Sequence, residues 1–352
     1  MRSFADIPQT VERMLAEGAR DRVGVVLLDA FGRRFLERHA GHPFLRRLEV
    51  TELSAQFPST TTAHVTTMHT GRPVGEHGLY EWNVYEPRLD AIVTPLLFSF
   101  AGDDRRDSLR ASGLDPATLL EGDTLYERLA ARGVRSTVMQ PAAFSPSTYD
   151  GVATAGARPA PYGSLAEGVA AFFDALAEPG YTYLYWDRID ATGHVHGPDS
   201  PEFARAAVEA LDALERGLRM APGALLLVTA DHGQVATDPE RVDWLDELWP
   251  ELPALLTHRP AGSARDVFLH TAPGAAEEVI AGLAGRLGDG GQVRRAAELM
   301  APGPRLADVC VLPGPGRMAW LRSAEGASTG FRGHHGGLHP DETDTWVGAL
   351  YS

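Results

Sequence analysis

Cysteine is almost absent. Cys310 is the only one among 352 residues, which excludes a disulfide framework and a thiolate metal cluster. It sits in Val309-Cys310-Val311-Leu312, a run that reads as a buried strand, so a structural role is expected of it. Long apolar runs are also lacking. None approaches the roughly 20 residues of a membrane span, and residues 1–21 are polar, mixed in charge and without the apolar core of a signal segment. A cytoplasmic protein with no membrane partner is expected. Basic blocks are missing as well. The net charge is −15, which argues against nucleic acid as a bulk partner, because tracking a phosphate backbone needs clustered positive charge. Small anionic substrates stay open, since bound metal ions would reverse the local sign of the potential.

What is present is ordinary soluble-protein material, 44% hydrophobic and 22% charged, and long enough for a large α/β domain carrying an insertion. Val23-Gly24-Val25-Val26-Leu27-Leu28 is an uninterrupted apolar run delivered into Asp29. Tyr181 to Trp186 ends on Asp187, and Ala224 to Ala230 ends on Asp231-His232-Gly233. Such runs read as parallel strands buried on both faces, with their polar groups at the carboxyl ends. Helices over 33–41, 124–132, 164–176 and 201–220 alternate with them. The pattern predicts a doubly wound, mostly parallel sheet with helices on both faces, its ligands gathering beyond the carboxyl ends of the strands. From about 255 the character changes to a small β-α-β-β pattern. A core of 1–254 and 331–352 with an α+β insertion over 255–330 is expected, and the polar stretch 97–118 reads as a mobile cover.

The stretch Phe57-Pro58-Ser59-Thr60-Thr61-Thr62 opens with a turn signal, Phe-Pro-Ser, and then presents three threonine hydroxyls before a helical run closed by Gly71. A hydroxyl in that first turn lies among unpaired backbone N–H groups at the positive helix end. Taken alone, the stretch reads as an N-cap and nothing more. The rest of the chain supplies its context. Asp190 and His194 lie four apart just past a strand, Asp231-His232-Gly233 closes another, and His334-His335-Gly336-Gly337 adds imidazoles in a glycine-rich turn. Carboxylates and imidazoles in this mixture suit zinc, with manganese or another first-row metal as alternatives.

In their order along the chain, Leu28-Asp29-Ala30-Phe31-Gly32, Phe57-Pro58-Ser59-Thr60-Thr61, Thr70-Gly71, His77-Gly78, Asp190 to His194 with Gly197-Pro198, Asp231-His232-Gly233 and His335-Gly336-Gly337-Leu338 resemble the alkaline phosphatase superfamily. Within it the resemblance is to the type I phosphodiesterase and nucleotide pyrophosphatase family. The resemblance implies a nucleophile ten positions before the Thr-Gly turn, which is Thr61. It implies two divalent metal sites, Asp29, Thr61, Asp231 and His232 in one and Asp190, His194 and His335 in the other. The activity it implies is cleavage of phosphodiester or pyrophosphate bonds in small anionic substrates through a phospho-threonine intermediate. Asn83, one position from where diesterases of this group keep an Asn, is expected to donate to a phosphoryl oxygen. Phe31, Trp82 and Tyr85 are expected to stack on a flat leaving group. His334, His196 and His339 are expected outside the ligand set, and Asp187 is expected to hydrogen-bond a ligand. A phosphonate hydrolase with the same ligands, a phosphomonoesterase and an inactive metal-bound binding protein are the alternatives. The monoesterase is disfavoured by the threonine nucleophile and by no motif placing Arg33, Arg34 or Arg72 on a phosphate.

Overall fold

The computed structural model describes residues 1–103, 105–324 and 328–352. Residue 104 of the stretch expected to cover the site and residues 325–327 of the expected insertion lie outside the described residues. Seven strands form the central sheet: β1 (Arg22–Leu28), β2 (Glu49–Ser54), β3 (Ser136–Met139), β4 (Arg158–Pro159), β5 (Gly180–Trp186), β6 (Leu225–Thr229) and β7 (Asp344–Tyr351). Their order is β2-β7-β6-β1-β5-β3-β4. β1 is parallel to β5 and β6, and β3 is parallel to β5 and β4. Only β7 runs against the rest, antiparallel to both β6 and β2.

The apolar run of β1 is explained by the two layers that cover it. Side chains alternate across a strand, so Val26 and Leu28 face one layer while Val23, Val25 and Leu27 face the other. The first layer is built on helices Leu165–Leu176 and Pro201–Gly217, which contribute Val169, Phe172, Phe173 and Leu176, and Ala207, Ala210, Leu211 and Leu214. The second holds Ile7, Val11 and Leu15 of helix Asp6–Ala16 with Val65 and Met68 of helix Thr61–Thr70. Each of the buried Val, Leu, Ile, Phe and Met side chains among these stabilises the sandwich by roughly 1.5–3 kcal/mol. Among the described residues no helix is long and apolar enough to cross a membrane.

The smaller unit is a four-stranded antiparallel sheet, ordered Ala261–Ser263, Asp266–Leu269, Val309–Pro313, Gly291–Arg295, with helix Ala276–Leu287 on one face. Its core also holds Leu245, Trp249 and Leu252, which precede the expected boundary at 255. Met318–Trp320 pairs with Val242–Trp244 instead of joining this sheet, so the simple β-α-β-β expectation is revised. The other face of the unit, through Phe268, Cys310 and Leu312, packs on Leu79, Tyr80, Val84, Leu109 and Leu119. The stretch 97–118 is therefore part of a packed layer. It contains strand Ser99–Phe100 and two short 3-10 turns, with Phe98 and Leu109 fully buried.

A buried ion pair joins the smaller unit to the core. Arg265 Nη2 donates to Glu342 Oε2 at 2.8 Å and its Nε to Oε1 at 3.2 Å. Arg265 Nη1 also donates to the carbonyls of Pro313, Gly314 and Arg317, while Glu342 accepts from the N–H groups of Gly337 and His339. Removing one partner leaves the other charge buried and uncompensated. Glu342→Ala is expected to lower the unfolding free energy by about 3–5 kcal/mol, measured by urea denaturation. A loss below about 1 kcal/mol, the range of an exposed pair, would show that the junction tolerates an unpaired Arg265.

Candidate active site

β1, β5 and β6 release their acids at one edge of the sheet, as parallel neighbours must. The loops after β1 and β6 touch: a Cβ at Gly32 would lie 2.7 Å from the Cα of Gly233, so this approach requires glycine. Thr61 opens the helix Thr61–Thr70 that packs across the same edge. Thr60 is its N-cap, and Gly71, in the left-handed region at φ 69°, ends it.

The Thr61 Oγ1 lies 3.3 Å from Asp29 Oδ1 and 3.1 Å from His232 Nε2. Asp29 also accepts from the Tyr185 hydroxyl at 2.5 Å. Asp231 Oδ1 accepts from the N–H groups of Ala30 and His232, whereas its buried Oδ2 has no hydrogen-bond partner. Asp29, Asp231 and His232 thus form one compact group of potential ligands with atoms within 4.8 Å of one another, and Asp190, His194 and His335 form another. In the second group His194 Nε2 is 3.1 Å from Asp190 Oδ2, and His335 Nε2 is 3.5 Å from Asp190 Oδ1. The rings of His232 and His335 stack with centroids 3.9 Å apart, so the two groups are immediate neighbours.

The histidine tautomers follow from hydrogen bonding. Nδ1 of His232, His194 and His335 faces the carbonyls of Gly233, Gly333 and Ser59 at 3.1, 2.7 and 3.0 Å. A carbonyl can only accept, so each Nδ1 carries a proton, and Nε2 is the ring atom turned toward the carboxylates and available to a metal. Burial, reinforced by the charges of Asp231 and Asp190, pushes the Asp29 pKa well above the ordinary carboxylate range. Burial also raises Asp231. Burial acts the same way on Asp190, but the neighbouring His194 outweighs it and holds this carboxyl low. Buried acids gathered at one place, one of them with an oxygen that has no partner among the described residues, beside three imidazoles that turn Nε2 toward them suit a divalent metal in each group.

A profile of the family described as type I phosphodiesterase / nucleotide pyrophosphatase matches residues 23–338. The chain belongs to this family. It is thus a hydrolase of the class that cleaves phosphodiester bonds. Comparison of the sequence with curated proteins gives no match. Among solved structures it is similar to murine ectonucleotide pyrophosphatase/phosphodiesterase 5, at 20% identity and a TM-score of 0.69 over 94% of this chain and 88% of that one. The human protein is similar at 18% identity and a TM-score of 0.70 over 93% and 87%. A third structure, at 19% identity and a TM-score of 0.69 over 94% and 88%, is the murine protein as an inactive threonine-to-alanine variant in complex with AMP. At these identities the structures attest the fold.

In this type I phosphodiesterase a cavity of about 560 Å³ opens from Thr61 and both ligand groups. Trp82, 44% exposed, lines it. Phe31 does not. It is wholly buried with its ring against Trp346, because it follows β1 on the side of the helical layer. Tyr85 is likewise absent from the lining, its ring between His258 and His270 and its hydroxyl on Asp90. Asn83 lines the cavity, but its carboxamide is engaged, accepting from Thr94 Oγ1 at 2.9 Å and donating to the Gly262 carbonyl at 3.3 Å. Asp187 and His334 line the cavity outside both groups, with His334 Nε2 on the Ser328 hydroxyl. His339 caps the helix Pro340–Thr343, and His196 does not line the cavity.

Several contributors escaped the sequence reading. Gln234 Nε2 donates to Asp190 Oδ1 at 2.5 Å and to its carbonyl at 3.1 Å, and Tyr185 holds Asp29. Both stand within three positions of a strand-end acid, which is the signal that could have found them. Phe144 and Phe331 supply aromatic walls from loops without periodicity.

The helix bearing Thr61 is held by three buried imidazoles. His64 Nδ1 donates to Thr60 O at 2.6 Å and His69 Nδ1 meets the Tyr126 hydroxyl at 2.7 Å. His77 Nε2 meets Thr67 Oγ1 at 3.0 Å. Burial lowers all three pKa values to about 3. A folded-state value below the unfolded one means that the unfolded chain binds more protons, so stability is full above about pH 6.5 and declines as pH falls toward 3. Each histidine contributes a slope of roughly 1.4 kcal/mol per pH unit within that window. Urea denaturation at pH 7, 6 and 5 is expected to give a shallower decline for His69→Gln than for the wild type by about that amount. Equal slopes would mean that His69 is not kept neutral by the fold.

Proposed function

We propose that the chain is a two-metal hydrolase of phosphodiester or pyrophosphate bonds in nucleotide-like substrates, with Thr61 as nucleophile. The observation that carries this reading is the contact of Thr61 Oγ1 with Asp29 and His232, at the junction of two ligand groups whose donor sets suit divalent ions. Asp29, Thr61, Asp231 and His232 would hold one ion and Asp190, His194 and His335 the other, zinc being favoured by the imidazole content. Bound ions would supply Lewis acidity, lowering the pKa of the Thr61 hydroxyl and neutralising charge that builds up in an in-line displacement. Thr61 is pre-aimed by its position in the first helical turn. Its oxygen forms the new bond to phosphorus as the bond to the leaving oxygen breaks, and water later releases the phosphoryl group from Thr61. The complex of a related fold with AMP, formed by a threonine-to-alanine variant, supports a nucleotide-like substrate.

A monoester needs a cation for its additional charge, and the arginines near the motifs are committed elsewhere. Arg33 pairs with Glu37 and Glu52, and Arg34 with Asp199 and Asp341. Arg72 bonds the Glu121 carbonyl away from the cavity. The ligand set would also serve a phosphonate hydrolase, which a phosphonoacetate assay distinguishes.

Thr61→Ala is expected to abolish hydrolysis of bis-(p-nitrophenyl) phosphate while elemental analysis still finds two metals per chain. Retained turnover would remove Thr61 from the nucleophile role. The wild type is expected to favour this diester over p-nitrophenyl phosphate, and the reverse preference would make the protein a monoesterase. Chelation should stop the reaction, and added zinc or manganese should restore it.

A further inference from the structure

The cavity is short of positive charge. Asp29, Glu81, Asp103, Asp150, Asp187 and Asp190 all line it, against a single arginine, Arg106. The chain contains no lysine at all, so no ammonium group can take that place. Metal ions held by the two ligand groups would offset the acids nearest Thr61, but their influence belongs to the reacting phosphorus. Among the described lining residues, the arginine that a second anionic group of the substrate can meet is Arg106.

Arg106 is also uncommitted. Its side chain makes no hydrogen bond or ion pair among the described residues. The nearby Asp103 carboxylate, which would otherwise neutralise it, is already bound by Arg105 through Nε at 3.0 Å and Nη2 at 2.9 Å. What holds Arg106 is an aromatic face: its Cζ lies 5.9 Å from the centroid of Phe144, itself part of the cavity wall. A guanidinium within cation–π range of a ring keeps its fork of donors free for a two-point grip on phosphate.

We propose that Arg106 binds a second phosphoryl group of the substrate, distinct from the one attacked by Thr61, and so selects nucleotides with at least two phosphates. This deepens the function proposed above and rests on it for the identity of the cavity. The grip is formed by an exposed group, so it is sensitive to salt.

The test measures binding, separately from turnover. In metal-loaded Thr61→Ala protein, calorimetry gives the dissociation constants of ADP and AMP at low ionic strength. ADP is expected to bind more tightly, and adding Arg106→Ala is expected to shrink the ADP-to-AMP preference roughly 10-fold, the loss typical of one charge-assisted contact. Arg106→Lys should recover part of the preference, keeping the charge without the fork. A preference unmoved by Arg106→Ala, or an equal weakening of both nucleotides, overturns the proposal. Wild-type protein that hydrolyses no diester would overturn the proposed function instead, while the binding ratio would still decide the role of Arg106.

Discussion

Mutual repulsion among Asp29, Asp190 and Asp231 is the constraint around which this molecule is arranged. Carboxylates brought together away from water raise one another's pKa and resist burial unless something positive or hydrogen-bonding compensates. Part of the compensation is visible in the protein itself: the Tyr185 hydroxyl on Asp29, the Gln234 amide on Asp190 and two backbone N–H groups on one oxygen of Asp231. It is incomplete, since the second oxygen of Asp231 has no partner. A fold that tolerates this is one whose sheet is stable enough to carry the strain, and the doubly covered strands supply that stability.

The sheet also explains why the acids meet. Parallel strands end on the same side, so any polar group placed just beyond an apolar run arrives at a common edge. Helix Thr61–Thr70 lies over that edge and presents a hydroxyl from its first turn, at the end where backbone N–H groups are unpaired. The smaller unit and the layer over 79–120 then wall the cavity. They contribute Trp82 and Asn83 from the layer and Gly262 and Ser263 from the unit, which among the described residues brings none of the six candidate metal-binding side chains.

How much of this was legible in the sequence depended on whether one residue or its surroundings decided the outcome. A six-residue apolar run ending in an acid admits few structures besides a buried parallel strand, so the arrival of acids at one sheet edge could be read from the residues, whereas the choice of Asp190 over Asp187 and of His335 over His334 came from the resemblance to the family. Which way an aromatic side chain faces is decided by packing. Phe31 and Tyr85 are close in sequence to site residues yet turn into other layers, whereas Phe144 and Phe331 reach the cavity from loops with no periodic signal. The extent of the smaller unit was misjudged for a related reason: Leu245, Trp249 and Leu252 join its core across a change in composition that looked like a boundary.

Ser59 has a consequence for when the machinery exists. Its hydroxyl donates to the Gly337 carbonyl at 2.9 Å and accepts from the Gly336 N–H at 3.1 Å, while its own carbonyl receives His335 Nδ1–H at 3.0 Å. The Thr61 loop is thereby fastened to a segment made almost three hundred residues later, close to a strand that must slot between β2 and β6. Thr61 and five of the six candidate ligands therefore lie in chain made before the segment that fastens their loop, because His335 and the strand that completes the sheet both come later in the sequence.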